Sequence, residues 1–241
     1  MGDSAFQANR QALELHGTPL ARAIADSLGR FDEDALDEAE RTGIATIEQR
    51  RADLLADESI IEGYDDLTVR RATAGASKKP LEARLIFMFV RAIRPESALE
   101  LGANMGISAA YQALALRLNG TGRLVSLEGS KGRAALAAET VAPYGTAEVR
   151  VGRFDRVLGV TLEDLGGVDY AFVDGHHLRD PTLAYFEQIL ARTRRPGVLL
   201  FDDIHHNPEM DEAWAVIAAD ERVAFASDFG RLGLCLIETD Q

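Results

Sequence analysis

A single cysteine, Cys235, leaves this 241-residue chain no partner for an internal disulfide. That excludes a disulfide scaffold and fits a reducing compartment. Cys235 stands in the apolar run Leu232 to Ile237 and is expected as a small buried hydrophobe. Basic residues are scarce beside acidic ones, 26 against 39, for a net charge of −13. A phosphate backbone would be repelled, so no nucleic acid partner is expected. No run approaches the roughly 18 apolar residues of a membrane helix. Met1 to Arg10 also lacks a charged-then-apolar signal pattern. No membrane partner and a cytoplasmic location are therefore expected. Aromatic residues make up only 7%, which leaves few stacking surfaces without excluding an aromatic ligand. What is present, 46% hydrophobic and 27% charged residues, suits a globular chain that buries one substantial core.

The first 80 or so residues read as helix without strand. Asp32 to Asp57 carries an imperfect helical stripe through Leu36, Ile44, Ile47 and Leu54. Asp32, Glu33, Asp34, Asp37, Glu38 and Glu40 crowd its first turns, where the helix dipole favours acids, and are expected as a solvated face. Arg70 to Lys79 mixes small, turn-forming and basic residues and is expected as a mobile connection, with a lid over a ligand as the alternative. Pro80 then opens an apolar helix through Ile93. Beyond Arg94, strands expected near 98–101, 124–128, 147–151, 169–173, 198–201, 223–227 and 232–237 alternate with helices over 106–118, 131–142, 155–164, 181–194 and 209–219. In the fourth of these helices Asp180 is expected as the cap and Pro181 as the first residue, with Arg195-Pro196-Gly197 as the stop. Five strands separated by helices call for a parallel sheet with right-handed crossovers. Asp228-Phe229-Gly230-Arg231 is too short for a crossover, so the last two strands form an antiparallel hairpin.

The most informative segment is Glu100-Leu101-Gly102-Ala103-Asn104-Met105-Gly106-Ile107-Ser108, between the first strand and its helix. Glycines there let backbone approach a ligand. The next strand ends on Glu128. Strand, glycine turn, helix, strand and acid form a Rossmann-like nucleoside site, with backbone at the turn and a carboxylate for ribose hydroxyls. Asp174 ends the fourth strand and Asp202-Asp203 ends the fifth. Three converging carboxylates would repel one another, and a divalent cation, suited to oxygen ligands and water, would relieve that. Asp202 or Asp203 capping the next helix or bonding backbone amides is the plainer alternative. His176, His177, His205 and His206 flank the same acids. Imidazole titrates near neutrality and can accept a hydroxyl proton.

The turn and the terminal hairpin, with Phe172-Val173-Asp174-Gly175-His176-His177 and Pro196-Gly197-Val198-Leu199-Leu200-Phe201-Asp202-Asp203-Ile204, resemble the class I S-adenosylmethionine-dependent methyltransferases. In detail the chain resembles the bacterial O-methyltransferase branch related to catechol O-methyltransferase, over residues 80–238. The resemblance implies an α/β fold: a seven-stranded Rossmann-like sheet, five parallel strands then an antiparallel hairpin, helices on both faces, and an N-terminal helical extension. Residues 1–79 would be that cap, over the substrate side or in a homodimer contact, and 80–241 the methyltransferase domain. Gly102 and Gly106 would pass under the cofactor, Glu100 would reach its amino group indirectly, and Glu128 would accept both ribose hydroxyls. Ala103, Asn104, Ser108, Gly129, Arg153, Phe154, Asp174 and His176 complete the implied cofactor set. Asp174, Asp202 and Asp203 would hold Mg²⁺ or another divalent cation. His177 stands in the place of the base and His205 is the second choice, while His176 and His206 read equally as site or surface. Arg153 departs from the pattern, standing where many relatives carry an acid near adenine; it is expected to face solvent or pair with an acid. Asn104 stands where many have glycine.

The activity implied is methylation of a small-molecule hydroxyl. A metal-independent N-methyltransferase and a non-catalytic binder of S-adenosylmethionine or its demethylated product are the alternatives. A dinucleotide oxidoreductase is disfavoured by the hairpin and by Asn104.

Overall fold

The computed structural model describes residues 3–63 and 66–238. Residues 1–2 and 64–65 of the expected N-terminal region, and 239–241 of the second, lie outside them. Four helices come first: α1 Asp3–His16, α2 Pro19–Leu28, α3 Glu38–Ala56 and α4 Val69–Ala76. α5 Pro80–Ile93 leads into β1 Ser97–Leu101, α6 Ile107–Asn119, β2 Arg123–Glu128, α7 Lys131–Val141 and β3 Ala147–Val151. Then follow α8 Phe154–Leu165, β4 Val168–Val173, α9 Arg179–Leu190, β5 Thr193–Phe201, α10 Pro208–Ala218, β6 Phe225–Asp228 and β7 Gly233–Ile237.

The strands form one sheet in the order β3-β2-β1-β4-β5-β7-β6. β1 to β5 are parallel, and β7 pairs antiparallel with both β5 and β6, as expected of the terminal hairpin. Alternation along the strands divides the core in two, because successive side chains leave a strand on opposite faces. Val198, Leu200, Leu234 and Leu236 face a core shared with α1 to α6. Leu199, Phe201, Cys235 and Ile237 face α8, α9 and α10. Cys235 is fully buried there. Leu13, Ile24, Ile47 and Leu54 of the N-terminal helices join the first core directly.

Four local expectations need correction. α3 starts at Glu38, with residues 33–35 forming a separate single turn. Asp37 caps it, accepting from the Glu40 amide at 2.8 Å while Glu40 accepts from the Asp37 amide at 3.0 Å, a reciprocal box that fixes the start. Glu40 is not solvated: it is fully buried and held by Arg30 at 2.8 Å and Arg91 at 3.1 Å. Arg70 to Lys79 is not a connection throughout, since Val69–Ala76 is helix with Thr68 accepting from the Arg71 amide at its start. α9 starts at Arg179 with Leu178 as its non-bonding cap, and it ends at Leu190. Residues 193–197 belong to β5 instead, where Thr193 pairs with Val168. Ladder pairing to β4 takes up the backbone there in place of a helical turn.

Candidate functional site

The strand order reverses between β1 and β4, and ligands in such sheets sit beyond the carboxyl ends at this point. A cavity of about 580 Å³ lies there. Its floor is the turn after β1, the end of β2 and the segment after β4; Ala74 to Lys79 closes it from the other side. Gly102, at φ 106°, makes the floor possible, because a Cβ would stand 1.9 Å from the Asp174 carbonyl oxygen. Among the described residues five that are not glycine adopt left-handed backbone, Arg94, Asn104, His176, His177 and Asp203, and the last four all line this cavity. Such conformations cost about 1–3 kcal/mol each and concentrate at functional sites.

On the β1–β2 side, Glu128 accepts from the Asn104 amide and the Ser130 amide, both at 2.9 Å, which anchors its carboxylate at the cavity edge. Both polar atoms of the Asn104 side chain are buried without a hydrogen-bond partner. A buried amide left unsatisfied beside open space calls for a polar ligand. Phe154, His176 and Tyr185 form an aromatic corner: the His176 ring lies 5.4 Å from Phe154 and 5.9 Å from Tyr185, whose hydroxyl is 2.6 Å from Nδ1. Arg153 lines the rim but is exposed and pairs with Asp155 at 3.1 Å. Gly129 also lines the cavity. Glu100, Ala103, Gly106 and Ser108 do not. Glu100 lies fully buried beneath it, bonded to Gln112 at 2.6 Å and to Ser126, and burial pushes its carboxyl up. Gly106 serves packing, since a Cβ would meet the Ala137 backbone at 2.9 Å.

On the β4–β5 side, the strand ends bring Asp174 and Asp202 together, while Asp203 stands outside their donor group and meets it through His177 and Arg231. The Asp174 amide donates to Leu101 at 2.9 Å and the Asp202 amide to Val173 at 2.9 Å. One oxygen each of Asp174 and Asp202 and a ring nitrogen of His177 lie within 4.8 Å of one another. A residue expected in a loop enters this group: Lys78 Nζ is 3.0 Å from Asp174 Oδ2 and also contacts Asp202 Oδ2. Burial opposes the Lys78 charge, but Asp174 and Asp202 outweigh it and raise the ammonium above its usual range. Burial pushes Asp174 and Asp202 up, with Lys78 opposing. Asp203 differs: burial pushes it up, but Lys78, Arg231 and His177 together hold it below the usual carboxylate range. Arg231 contacts Asp203 directly.

His177 Nε2 stands 3.7 Å from Asp174 Oδ1 and 3.8 Å from Asp203 Oδ2. Burial is the largest influence on its ring and lowers its pKa, which favours neutral imidazole. Its backbone is held by Asn207, whose Nδ2 donates to the His177 carbonyl at 3.0 Å. His206 lines the cavity with its ring 5.6 Å from His177. His205 does not line it: Nδ1 is 2.6 Å from Asp211 and Nε2 is 2.8 Å from Asp228, so both nitrogens are engaged on the protein's exterior. Its role as a second base is therefore not supported by position.

Lys78 and Arg231 escaped the sequence reading. Their signals were present: Ala74-Gly75-Ala76-Ser77 lacks bulk and permits close approach. The hairpin turn must also return beside Asp202, because Gly233 pairs with Phe201.

A family described as a methyltransferase domain matches residues 99–204. A catechol O-methyltransferase of Niastella koreensis is 30% identical over 153 residues, which cover 58% of this chain and 67% of that protein. Among solved structures, an SAH-bound methyltransferase of Podospora anserina superposes with a TM-score of 0.61 at 18% identity, covering 86% of this chain and 89% of the other. An O-methyltransferase of Bacillus cereus in complex with SAH gives 0.59 at 20% identity, covering 82% and 91%. These two share the fold.

Proposed function

The chain belongs to the S-adenosylmethionine-dependent O-methyltransferases related to catechol O-methyltransferase, and from that premise we propose that it methylates a hydroxyl oxygen of a small organic acceptor. The observation that carries this reading is His177: a half-buried imidazole, biased to its neutral form, beside Asp174 in the cavity that begins at the Gly102 turn. S-adenosylmethionine, when bound, supplies a methyl group on a positively charged sulfur, open to in-line attack. The residues fit it. Glu128 offers a carboxylate anchored by two backbone amides, Asn104 an unsatisfied amide, and Phe154 with His176 flat apolar surface for a base. His177 takes the acceptor's proton as the oxygen attacks, and the backbone grip of Asn207 keeps the ring aimed.

We assign the acceptor's body to the neighbouring cavity. A second cavity, about 610 Å³, shares Glu82 and Arg231 with the first and is walled by Phe6, Phe31, Leu81, Leu85 and Phe229. Its apolar wall suits an aromatic or similarly flat acceptor.

The Mg²⁺ expected at Asp174, Asp202 and Asp203 does not fit the donors as they stand. Mg²⁺ demands near-octahedral oxygens at about 2.0–2.1 Å. Here an ammonium already contacts both Asp174 and Asp202, and a guanidinium contacts Asp203. No step is routed through a metal. Incubation of the full chain with methyl-labelled S-adenosylmethionine and a panel of phenols, sugars and amines tests the reading. Label on oxygen of a hydroxylated acceptor supports it; label on nitrogen alone, or no transfer across the panel, overturns it.

A further inference from the structure

We propose that the ammonium of Lys78 is the resident cation of the acidic site, standing in place of a divalent metal, and that methyl transfer here needs none. The proposal rests on the methyltransferase reading and adds the means by which its buried acids are balanced.

Two acids at neighbouring strand ends face each other here, Asp174 in the cavity lining and Asp202 behind it, only 2% exposed. Any charge that this buried pair keeps needs a counter-charge. Lys78 supplies it from within the chain, its own residue 6% exposed and its Nζ bridging the two. The bridge is built into the backbone. α4 ends at Ala76 and is capped by Ser77, whose amide donates to the Thr73 carbonyl at 3.1 Å, and α5 begins at Pro80, with the Lys79 amide donating to Glu82 at 3.2 Å. Lys78 is held between these two helix ends and is not on a free loop. Asp203, the third donor, is taken by Arg231. A metal could enter only by driving a buried ammonium away from both its carboxylates, and the two cations would repel while it did so.

The arrangement also places chemistry. Asp174 carries Lys78 on Oδ2 and faces His177 with Oδ1 at 3.7 Å. Lys78 lines the cavity, so an acceptor hydroxyl meets an N–H donor from Lys78 and a proton acceptor in His177. The oxygen loses its proton to the imidazole as its bond to the methyl carbon forms and the carbon–sulfur bond breaks, leaving neutral thioether. The donor steadies the negative charge on oxygen that a metal would otherwise hold.

Mn²⁺ titration followed by paramagnetic resonance of the free ion tests this on the wild-type chain and on Lys78→Ala, each also titrated with S-adenosylhomocysteine and melted with and without Mn²⁺. The wild type should leave the free-ion signal at its buffer amplitude and keep full turnover in EDTA. Lys78→Ala should remove one equivalent of Mn²⁺ per chain, and its Tm should rise with Mn²⁺ where the wild-type Tm does not. Stoichiometric Mn²⁺ binding by the wild type, or turnover abolished by EDTA and restored by Mg²⁺, overturns the proposal whether or not the variant folds. A folded Lys78→Ala that binds S-adenosylhomocysteine normally but no Mn²⁺ overturns it as well. Failure of the wild type to bind S-adenosylhomocysteine would defeat the methyltransferase reading instead, independently of the Mn²⁺ result.

Discussion

Two glycines beside the cavity separate what the fold needs from what the cofactor needs. At Gly102 an added Cβ would stand 1.9 Å from the Asp174 carbonyl oxygen, where ordinary contact begins near 3.4 Å, and φ is 106°. The backbone after β4 would have to move. Overpacking of this kind costs about 1–3 kcal/mol, and left-handed backbone adds about 1–2 kcal/mol for a residue with a Cβ. Gly102→Ala should therefore lose roughly 3 kcal/mol, a fall in Tm of about 6–12 °C for a domain of this size. At Gly129 a Cβ would meet nothing within 4 Å, and φ lies outside the left-handed region. Gly129→Val should leave Tm within about 2 °C. Its side chain would occupy cavity space, so the Kd for S-adenosylhomocysteine should rise at least about tenfold, or 1.4 kcal/mol. Melting curves and calorimetric titration on the two variants give both numbers. A Gly129→Val variant that binds as the wild type does, or a Gly102→Ala variant with unchanged Tm, would refute the geometry assigned to the turn.

His177→Ala should lower kcat by about 10²- to 10⁴-fold, while the S-adenosylhomocysteine Kd stays within about twofold; equal losses in both would count against a base. Because burial holds the His177 pKa below its usual value, the imidazole is already neutral at pH 7, and kcat should fall only as pH drops below 6.5, the ordinary value; an acid limb centred above that would contradict the reading. Phe6→Ala, on the apolar wall, should raise the acceptor KM and leave kcat nearly unchanged. Asp211 and Asp228 raise the His205 pKa above 6.5. The stability it contributes is thus fully present below the unfolded value and lost as pH rises through the folded one. His205→Ala should therefore lower Tm at about pH 6 and not at about pH 9, with little change in kcat.

The sheet was legible because alternation and spacing are local signals. β1, β2 and β4 each end within a residue of the expected position, and the hairpin follows from a four-residue link. The first site acids were legible for a related reason. Glu128, Asp174 and Asp202 lie at strand ends, and parallel pairing forces strand ends together. What was not legible depends on packing across the sheet's edge. Glu40 reads as one more surface acid until α5 brings Arg91 to it. Lys78 reads as a loop lysine until α4 and α5 turn it toward Asp174. His205 and His177 look alike in sequence, but the Asp228 carboxylate at the end of β6 draws one outward while Asn207 holds the other at the cavity. Residue type marks candidates; only the neighbours brought by the fold decide among them.

Calorimetric titration of the full chain with S-adenosylhomocysteine in EDTA tests the central claim, that this cavity takes the cofactor without a metal. One site per chain with micromolar Kd, unchanged when Mg²⁺ replaces EDTA, is the expected result. No heat up to millimolar ligand would contradict the cofactor site, and binding seen only with Mg²⁺ would contradict the role given to Lys78.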